Sequence, residues 1–120
     1  MTFWLAIGVL VVGSVSASLY IKTLPGKYDA LAQCLSEKGV KFYGAVWCSS
    51  CKEQKRLFGN SAELLPFVEC YETDQKTMNS LCMEKKIKKH PAWDFPDGSR
   101  LTGVQLPKVL AEKAGCPMPQ

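Results

Sequence analysis

The sequence lacks the charge pattern of a nucleic-acid-binding protein. No charged side chain occurs before Lys22, so all 15 Lys and Arg residues and all 11 Asp and Glu residues follow the first 21 positions. Their net charge of +4 is small, and no long basic run is interleaved with aromatic residues. Recognition of nucleic acid requires such a basic surface. Repeats and low-complexity segments are absent too, and 120 residues leave room for one domain.

The uncharged N-terminal segment predicts a membrane anchor at residues 1–21. Residues 2–21 are apolar and about long enough to cross a hydrocarbon core of roughly 30 Å as a helix. Trp4 and Tyr20 lie near the two ends, where aromatic side chains favour the membrane interface. The alternative is a signal peptide cleaved after residue 17. A small-residue pattern at 15–17 favours cleavage, whereas the absence of Lys or Arg before the apolar stretch disfavours it.

Cysteine is abundant, with six residues in this short chain. Such enrichment is typical of proteins that retain disulfides or bind metal. Lys22 and Lys27 follow the apolar segment, and the positive-inside rule favours the cytoplasm for them. The cysteine count outweighs two lysines and predicts a folded domain that faces an oxidising compartment.

The remaining sequence alternates between helix and strand patterns. Pro and Gly predict a linker at residues 22–27, which is followed by a domain at 28–116 and a tail at 117–120. This pattern predicts an α/β fold in which a mixed sheet has helices on both faces. The predicted helices are residues 28–38, 49–58, 76–86 and 107–114, the predicted strands are 40–47 and 65–71, and a β-hairpin is predicted at 92–104.

Cys48 and Cys51 lie at the predicted junction between a strand and a helix. A cysteine in the first helical turn lies near unpaired backbone N–H groups, which favour the thiolate, the nucleophile of disulfide exchange. We therefore expect Cys48, at an exposed helix tip, to attack a substrate. Cys51 lies one turn further along the same face and is expected to resolve the mixed disulfide. This chemistry requires no metal or organic cofactor.

Two other interpretations of this cysteine pair remain open. It could form a static local disulfide. It could also contribute to a zinc site of four thiolates with Cys70 and Cys82, although that second pair is too widely spaced for a zinc knuckle.

The sequence WCSSC (47–51) follows an apolar strand, and His90-Pro91 precedes a hairpin. In these two motifs the sequence resembles the thioredoxin superfamily. The match is closest to the thioredoxin-like domain that is fused to bacterial and plant homologues of vitamin K epoxide reductase. The matching segments are ALAQCLSEKGVKFYGAVWCSSCKEQKRLFG (30–59), LPFVEC (65–70), LC (81–82), HPAW (90–93) and DGSRLTGV (97–104).

The resemblance implies a thioredoxin-like domain that exchanges disulfides with protein thiols and with a quinone-reducing membrane partner. That partner would be a separate protein resembling vitamin K epoxide reductase. The resemblance also implies a periplasmic or thylakoid-lumen location, and cleavage of the N-terminal segment would give a secreted or periplasmic protein. A membrane-tethered reductase and a non-catalytic thioredoxin-fold interaction module are the alternatives.

The resemblance also assigns supporting residues. Pro91 would be the cis proline beside the cysteines, where a residue without an N–H leaves the backbone free to pair with a substrate strand. His90 could stabilise a thiolate or transfer a proton, or could be an ordinary loop residue. Trp47 could shield the sulfurs or simply pack. Thioredoxins have a buried acid where this chain has Phe42, so the resemblance does not extend to a carboxylate at that position. His90 before the proline and the Ser-Ser dipeptide match neither the common reducing nor the common oxidising version, so the motif does not indicate the redox direction.

The other four cysteines are predicted to be structural. The related fused domains have a cysteine pair at the positions of Cys70 and Cys82, and a disulfide there would stabilise the fold by about 3 kcal/mol. A second redox-active pair or two free thiols are the alternatives. Cys34 and Cys116 could form a further disulfide or could be small buried hydrophobic residues.

Overall fold

The structure is a computed structural model that describes residues 24–119. The predicted anchor or signal peptide at residues 1–21 lies outside the described residues, as do the first two positions of the predicted linker. Between residues 24 and 119, no helix is long and apolar enough to cross a membrane.

A mixed sheet with the strand order β2-β1-β3-β4 forms the centre of the domain. Strand β1 (Lys41–Gly44) pairs in parallel with β2 (Phe67–Glu69) and antiparallel with β3 (Ala92–Asp94). Strand β4 (Arg100–Thr102) completes the hairpin with β3. Parallel neighbours require a crossover connection, and here it contains a helix. The helices are α1 (Asp29–Glu37), α2 (Ser49–Phe58), α3 (Ser80–Glu84) and α4 (Pro107–Ala114), with a 3₁₀ helix at Gly59–Leu64.

Side chains that alternate along the strands build a core on each face of the sheet. Phe42 of β1 stacks on Trp93 of β3, with ring centroids 4.5 Å apart, and both side chains are fully buried. On this face the core includes residues of α1, α2 and α4. Tyr43 points to the other face, where it packs in a smaller cluster with Cys82 of α3. Helices therefore cover both faces, which fits the predicted thioredoxin-like fold.

Two helices begin and end where the sequence predicted, at residues 49–58 and 107–114. Gly115 adopts a left-handed conformation with φ 70° and ends the last helix, as glycine commonly does.

The strand predicted at residues 40–47 is shorter than expected, because it ends at Gly44. The backbone N–H of Val46 donates to the Glu69 carboxylate at 2.9 Å, and the N–H of Cys48 donates to the Ala45 carbonyl at 3.2 Å. These hydrogen bonds form a turn between β1 and α2, so the strand does not run directly into the helix.

The helix predicted at residues 76–86 is also wrong in extent, because only Ser80–Glu84 is helical. The Asp74 carboxylate accepts hydrogen bonds from the backbone N–H groups of Lys76 and Thr77, each at 2.9 Å. Asn79 then caps the helix by accepting the N–H of Cys82 at 2.9 Å. Asp and Asn favour such local bonds over helix continuation, which explains the late start.

Residues 24–27, predicted as part of the linker, pack against the domain. The backbone N–H of Tyr28 donates to Ser61 Oγ at 2.9 Å, and Ser61 Oγ donates to the Asp29 carboxylate at 2.8 Å. The Asn60 amide donates to the Leu24 carbonyl at 3.4 Å. The chain is thus attached to the 3₁₀ helix before α1 begins.

Candidate active site

The turn after β1 places Cys48 at the N-cap of α2. Its sulfur accepts the backbone N–H of Cys51 at 3.3 Å. An N–H group directed at sulfur, at the positive end of a helix dipole, stabilises negative charge on that sulfur. The local fold therefore places Cys48, and not Cys51, at the start of the helix with a backbone N–H directed at its sulfur.

Cys48 is more buried than predicted. Its side chain was expected at an exposed helix tip, but it is only 7% exposed, whereas Cys51 is 1% exposed. The segment before β3 covers the sulfur, since Cys48 Sγ lies 3.8 Å from the carbonyl oxygen of His90. Cys48 nevertheless remains the more exposed of the two residues.

The thiolate form of Cys51 is strongly disfavoured. Burial raises the pKa of Cys51 to about 12, and its hydrogen bond with Cys48 contributes to the rise. Lys55 and a backbone hydrogen bond at Ala45 oppose the rise but are weaker. At neutral pH Cys51 is therefore a protonated thiol.

His90 and Pro91 form the wall of the site opposite the helix. The peptide bond between them is cis, and Pro91 is fully buried. The His90 ring is half-buried and lies perpendicular to Trp47, with ring centroids 5.5 Å apart. Trp47 itself is 41% exposed, so this side chain forms part of the rim of the site.

Tyr71 is a site residue that the sequence pattern did not single out. Its hydroxyl oxygen lies 3.2 Å from Nε2 of His90, and its ring contacts Trp47 edge to face at 5.0 Å. Tyr71 follows β2 as Trp47 follows β1. Because the ends of parallel strands lie at the same edge of a sheet, the predicted pairing could have located it.

The remaining cysteines form two disulfides, Cys70–Cys82 and Cys34–Cys116. All six cysteines of the sequence are described, and only Cys48 and Cys51 are free. The zinc site of four thiolates considered above is therefore excluded, because two of its ligands are bonded to each other.

One other group of side chains in the described residues has the composition of a metal site. One ligand atom from each of Cys48, Cys51 and His90 lies within 4.8 Å of the other two. The site therefore brings together two sulfurs and an imidazole, which are suited to both acid–base chemistry and metal binding.

Position 42 offers no carboxylate to the site, because the residue there is a phenylalanine. Phe42 is buried and stacked on Trp93.

A neutral polar network joins the cysteine helix to a later part of the chain. The side-chain oxygen of Gln54, which is fully buried, accepts the indole N–H of Trp93 at 3.1 Å and the backbone N–H of Gln105 at 2.7 Å. Its amide group donates to the Gln105 carbonyl at 2.8 Å. Gln54 thus joins the helix of the two cysteines to the segment after β4.

The chain is similar in sequence to a plant protein of known name. No protein-family model matches the sequence. Thiol-disulfide oxidoreductase LTO1 of Arabidopsis thaliana is 37% identical over 95 residues, which are 76% of this chain and 25% of that protein. The chain thus spans about a quarter of the length of this relative.

Proposed function

We propose that this protein is a thiol–disulfide oxidoreductase that uses Cys48 as the attacking cysteine and Cys51 as the resolving cysteine. The observation that carries the proposal is the state of the cysteines. Four of them form disulfides away from the helix start, while the two at the start of α2 remain free.

Cys48 and Cys51 have different roles in the proposed disulfide exchange. In the oxidising direction, a substrate thiolate attacks Cys48 of the Cys48–Cys51 disulfide, and Cys51 leaves and takes up a proton. A second substrate thiolate attacks the substrate sulfur of the mixed disulfide and releases Cys48 as a thiolate. The substrate gains one disulfide and the protein gains two reduced cysteines. The reverse sequence reduces a substrate disulfide.

In the reducing direction Cys51 attacks the mixed disulfide, and its raised pKa means that this step needs a proton acceptor; in the oxidising direction the same group returns the proton. His90 is the suitable group, since a ring nitrogen lies within 4.8 Å of both sulfurs and an imidazole accepts protons near neutral pH. We assign His90 this proton transfer, and Tyr71 holds its ring through the 3.2 Å contact at Nε2. Pro91 and Trp47 shape the opening through which the substrate enters.

The relative supports the proposed reaction. LTO1 bears the name thiol-disulfide oxidoreductase, and the aligned part covers most of the present chain. The fold, with helices on both faces of a mixed sheet, is of the kind on which this chemistry is expected.

A finer proposal concerns the partner and the compartment. We propose that the domain passes oxidising equivalents to exported proteins and is reoxidised by a separate, quinone-linked membrane protein resembling vitamin K epoxide reductase. The sequence motifs support this, and the two structural disulfides favour an oxidising compartment such as the periplasm or thylakoid lumen. Residues 2–21 would anchor the domain to the membrane.

The alternative within the same class is a membrane-tethered reductase. The reduction potential of the Cys48–Cys51 couple, measured against glutathione, distinguishes the two directions. A potential near that of thioredoxin, about −270 mV, favours the reductase, and a markedly less negative potential favours the oxidase.

A trapping experiment tests the reaction itself. In Cys51→Ser, Cys48 can still attack a substrate disulfide, but Cys51 is no longer present to displace the substrate. A mixed disulfide between Cys48 and the substrate protein should therefore accumulate and should dissociate on reduction. Cys48→Ser is the matched control, with the same substitution three residues away, and should trap nothing. A non-catalytic interaction module would bind partners equally in both variants, without a covalent complex, and that result would exclude the proposed function.

A further inference from the structure

We propose that the reduced site binds one Zn²⁺ ion through Cys48, Cys51 and His90, and that the metal holds the protein in an inactive dithiolate state. The proposed inhibition rests on the function proposed above, but the binding itself does not. The site differs from the excluded set of four cysteines, because it uses only the two free thiols.

The separation of the three ligand atoms suits a tetrahedral zinc ion. Zinc binds sulfur at about 2.3 Å and nitrogen at about 2.0 Å, so ligand atoms in a tetrahedral site lie about 3.5–3.8 Å apart. Here the three atoms lie within 4.8 Å of one another. Movement of about 1 Å, within the range of side-chain rotation, would close the site around the ion.

The imidazole of His90 is already oriented by a neighbour. Its Nε2 atom lies 3.2 Å from the Tyr71 hydroxyl, and in the described part of the chain Nδ1 has no hydrogen-bond partner. Nδ1 is therefore the nitrogen left for a metal. Histidines that bind zinc usually donate their other N–H to an oxygen atom, which fixes the ring. Tyr71 provides that oxygen.

The chemistry of the ligands selects the class of metal. Two thiolates and an imidazole suit Zn²⁺, whereas Mg²⁺ and Ca²⁺ require oxygen ligands. The other four cysteines are paired in disulfides and cannot compete for the ion. Three protein ligands leave the fourth position open for water.

Binding of the metal and disulfide exchange exclude each other. Two thiols release two protons when they bind Zn²⁺, and no electrons are transferred. In the oxidised protein both sulfurs share one covalent bond and have no thiolate to offer. In the metal-bound protein, Cys48 cannot attack a substrate until the ion leaves.

Zinc titration of the full chain, purified in detergent and with the site cysteines reduced, tests the proposal. A chromogenic chelator that competes for Zn²⁺ should report one ion per chain and no binding after oxidation. His90→Ala should weaken binding at least about tenfold, and Tyr71→Phe should weaken it less. Lys89→Ala, at an exposed neighbouring residue, is the matched control and should change affinity less than about twofold. Co²⁺ in place of Zn²⁺ should give sulfur-to-metal charge-transfer absorption that Cys48→Ser reduces.

The inference is overturned if His90→Ala binds Zn²⁺ as tightly as the unmodified protein, or if oxidation leaves binding unchanged. Exchange activity measured with a chelator present separates the two proposals. Normal metal-free exchange without zinc binding refutes only this inference, whereas zinc binding without metal-free exchange refutes the oxidoreductase function.

Discussion

Gly44 of β1 leaves the space that the sulfur of Cys51 occupies. A Cβ atom at position 44 would lie 2.7 Å from Cys51 Sγ and 3.1 Å from Cε2 of Phe67. Real Cβ atoms essentially never lie as close to another atom as 2.7 Å, and a distance of 3.1 Å is unusually tight, so the backbone of β1 passes directly beneath the resolving cysteine. Any side chain at this position must displace Cys51 or Phe67.

Gly44→Ala is expected to destabilise the reduced protein by about 1–3 kcal/mol, the usual cost of overpacking a core. It should also slow resolution of the mixed disulfide, because the displaced Cys51 sulfur is no longer aligned with Cys48. Denaturant unfolding and the lifetime of the mixed disulfide measure the two effects. In a Cys51→Ala background the added methyl group meets no sulfur, so the substitution should cost less stability there. Equal costs in both backgrounds would show that the contact with Cys51 is unimportant.

The two site cysteines should differ sharply in reactivity. Since the pKa of Cys51 is raised to about 12, this residue is protonated and unreactive at pH 8. Brief treatment of the reduced protein with iodoacetamide should therefore alkylate Cys48 first. Peptide mapping by mass spectrometry identifies the modified residue, and unfolded protein should show no such preference. Equal modification of both cysteines in the folded protein would contradict the assigned roles.

The same shift predicts that the stability of the reduced protein depends on pH. The pKa of Cys51 rises from its usual 9.0 to about 12 on folding, so the folded state holds this proton more tightly than the unfolded state. The resulting stabilisation is complete below about pH 9 and is lost as the pH rises toward 12. The free energy of unfolding of the unmodified protein should thus fall more steeply over this interval than that of Cys51→Ala. Parallel curves would refute the raised pKa.

The sequence predicted those parts of the fold that depend on local signals. The bounds of α2 follow from good helix formers ended by Gly59, and α4 follows from Pro107 and Gly115 at its ends. Short-range hydrogen bonds from side chains were not predictable in the same way. Asp74 and Asn79 shorten α3 because they bind nearby backbone N–H groups, and composition alone does not show which of these bonds form.

The site itself was predictable only in part. The cysteine motif and His90-Pro91 locate the chemistry, whereas the burial of Cys48 depends on the distant His90 carbonyl. Tyr71 and Gln54 were missed because their roles arise from contacts between elements that are far apart in sequence. Such contacts follow from the pairing of strands and helices in space, and no local pattern encodes them.

The two disulfides should stabilise the fold to different degrees. Cys70 and Cys82 are separated by 12 positions, and Cys34 and Cys116 by 82. In the chain-entropy account, the longer loop loses more freedom in the unfolded state, giving about 4.5 kcal/mol against about 3 kcal/mol. Replacing each pair with alanine and measuring denaturant unfolding tests this order. A larger loss from the Cys70–Cys82 pair would show that packing of these fully buried sulfurs outweighs loop entropy.

Gln54 is expected to matter for both stability and exchange. Leucine at this position would leave the Trp93 indole N–H and the Gln105 backbone N–H without their acceptor. The cost is about 1–3 kcal/mol for the buried indole N–H and is smaller for the partly buried backbone N–H. We therefore expect Gln54→Leu to lower the free energy of unfolding by about 2–4 kcal/mol. Exchange should slow as well, because Gln54 joins α2 to the segment whose Gly103 N–H donates to the Pro91 carbonyl at 2.8 Å.

Gln105→Ala is the matched control for this prediction. The partly buried side chain of Gln105 binds only the carbonyl groups of Thr102 and Gly103, and its removal leaves the backbone hydrogen bonds to Gln54 in place. The control should therefore cost about 0.5–1 kcal/mol, in the range of the net contribution of a typical hydrogen bond. If the two variants lose equal stability, the buried amide does not hold α2 against the segment after β4. If only Gln54→Leu slows exchange while it remains folded, the amide positions the cysteine helix relative to Pro91.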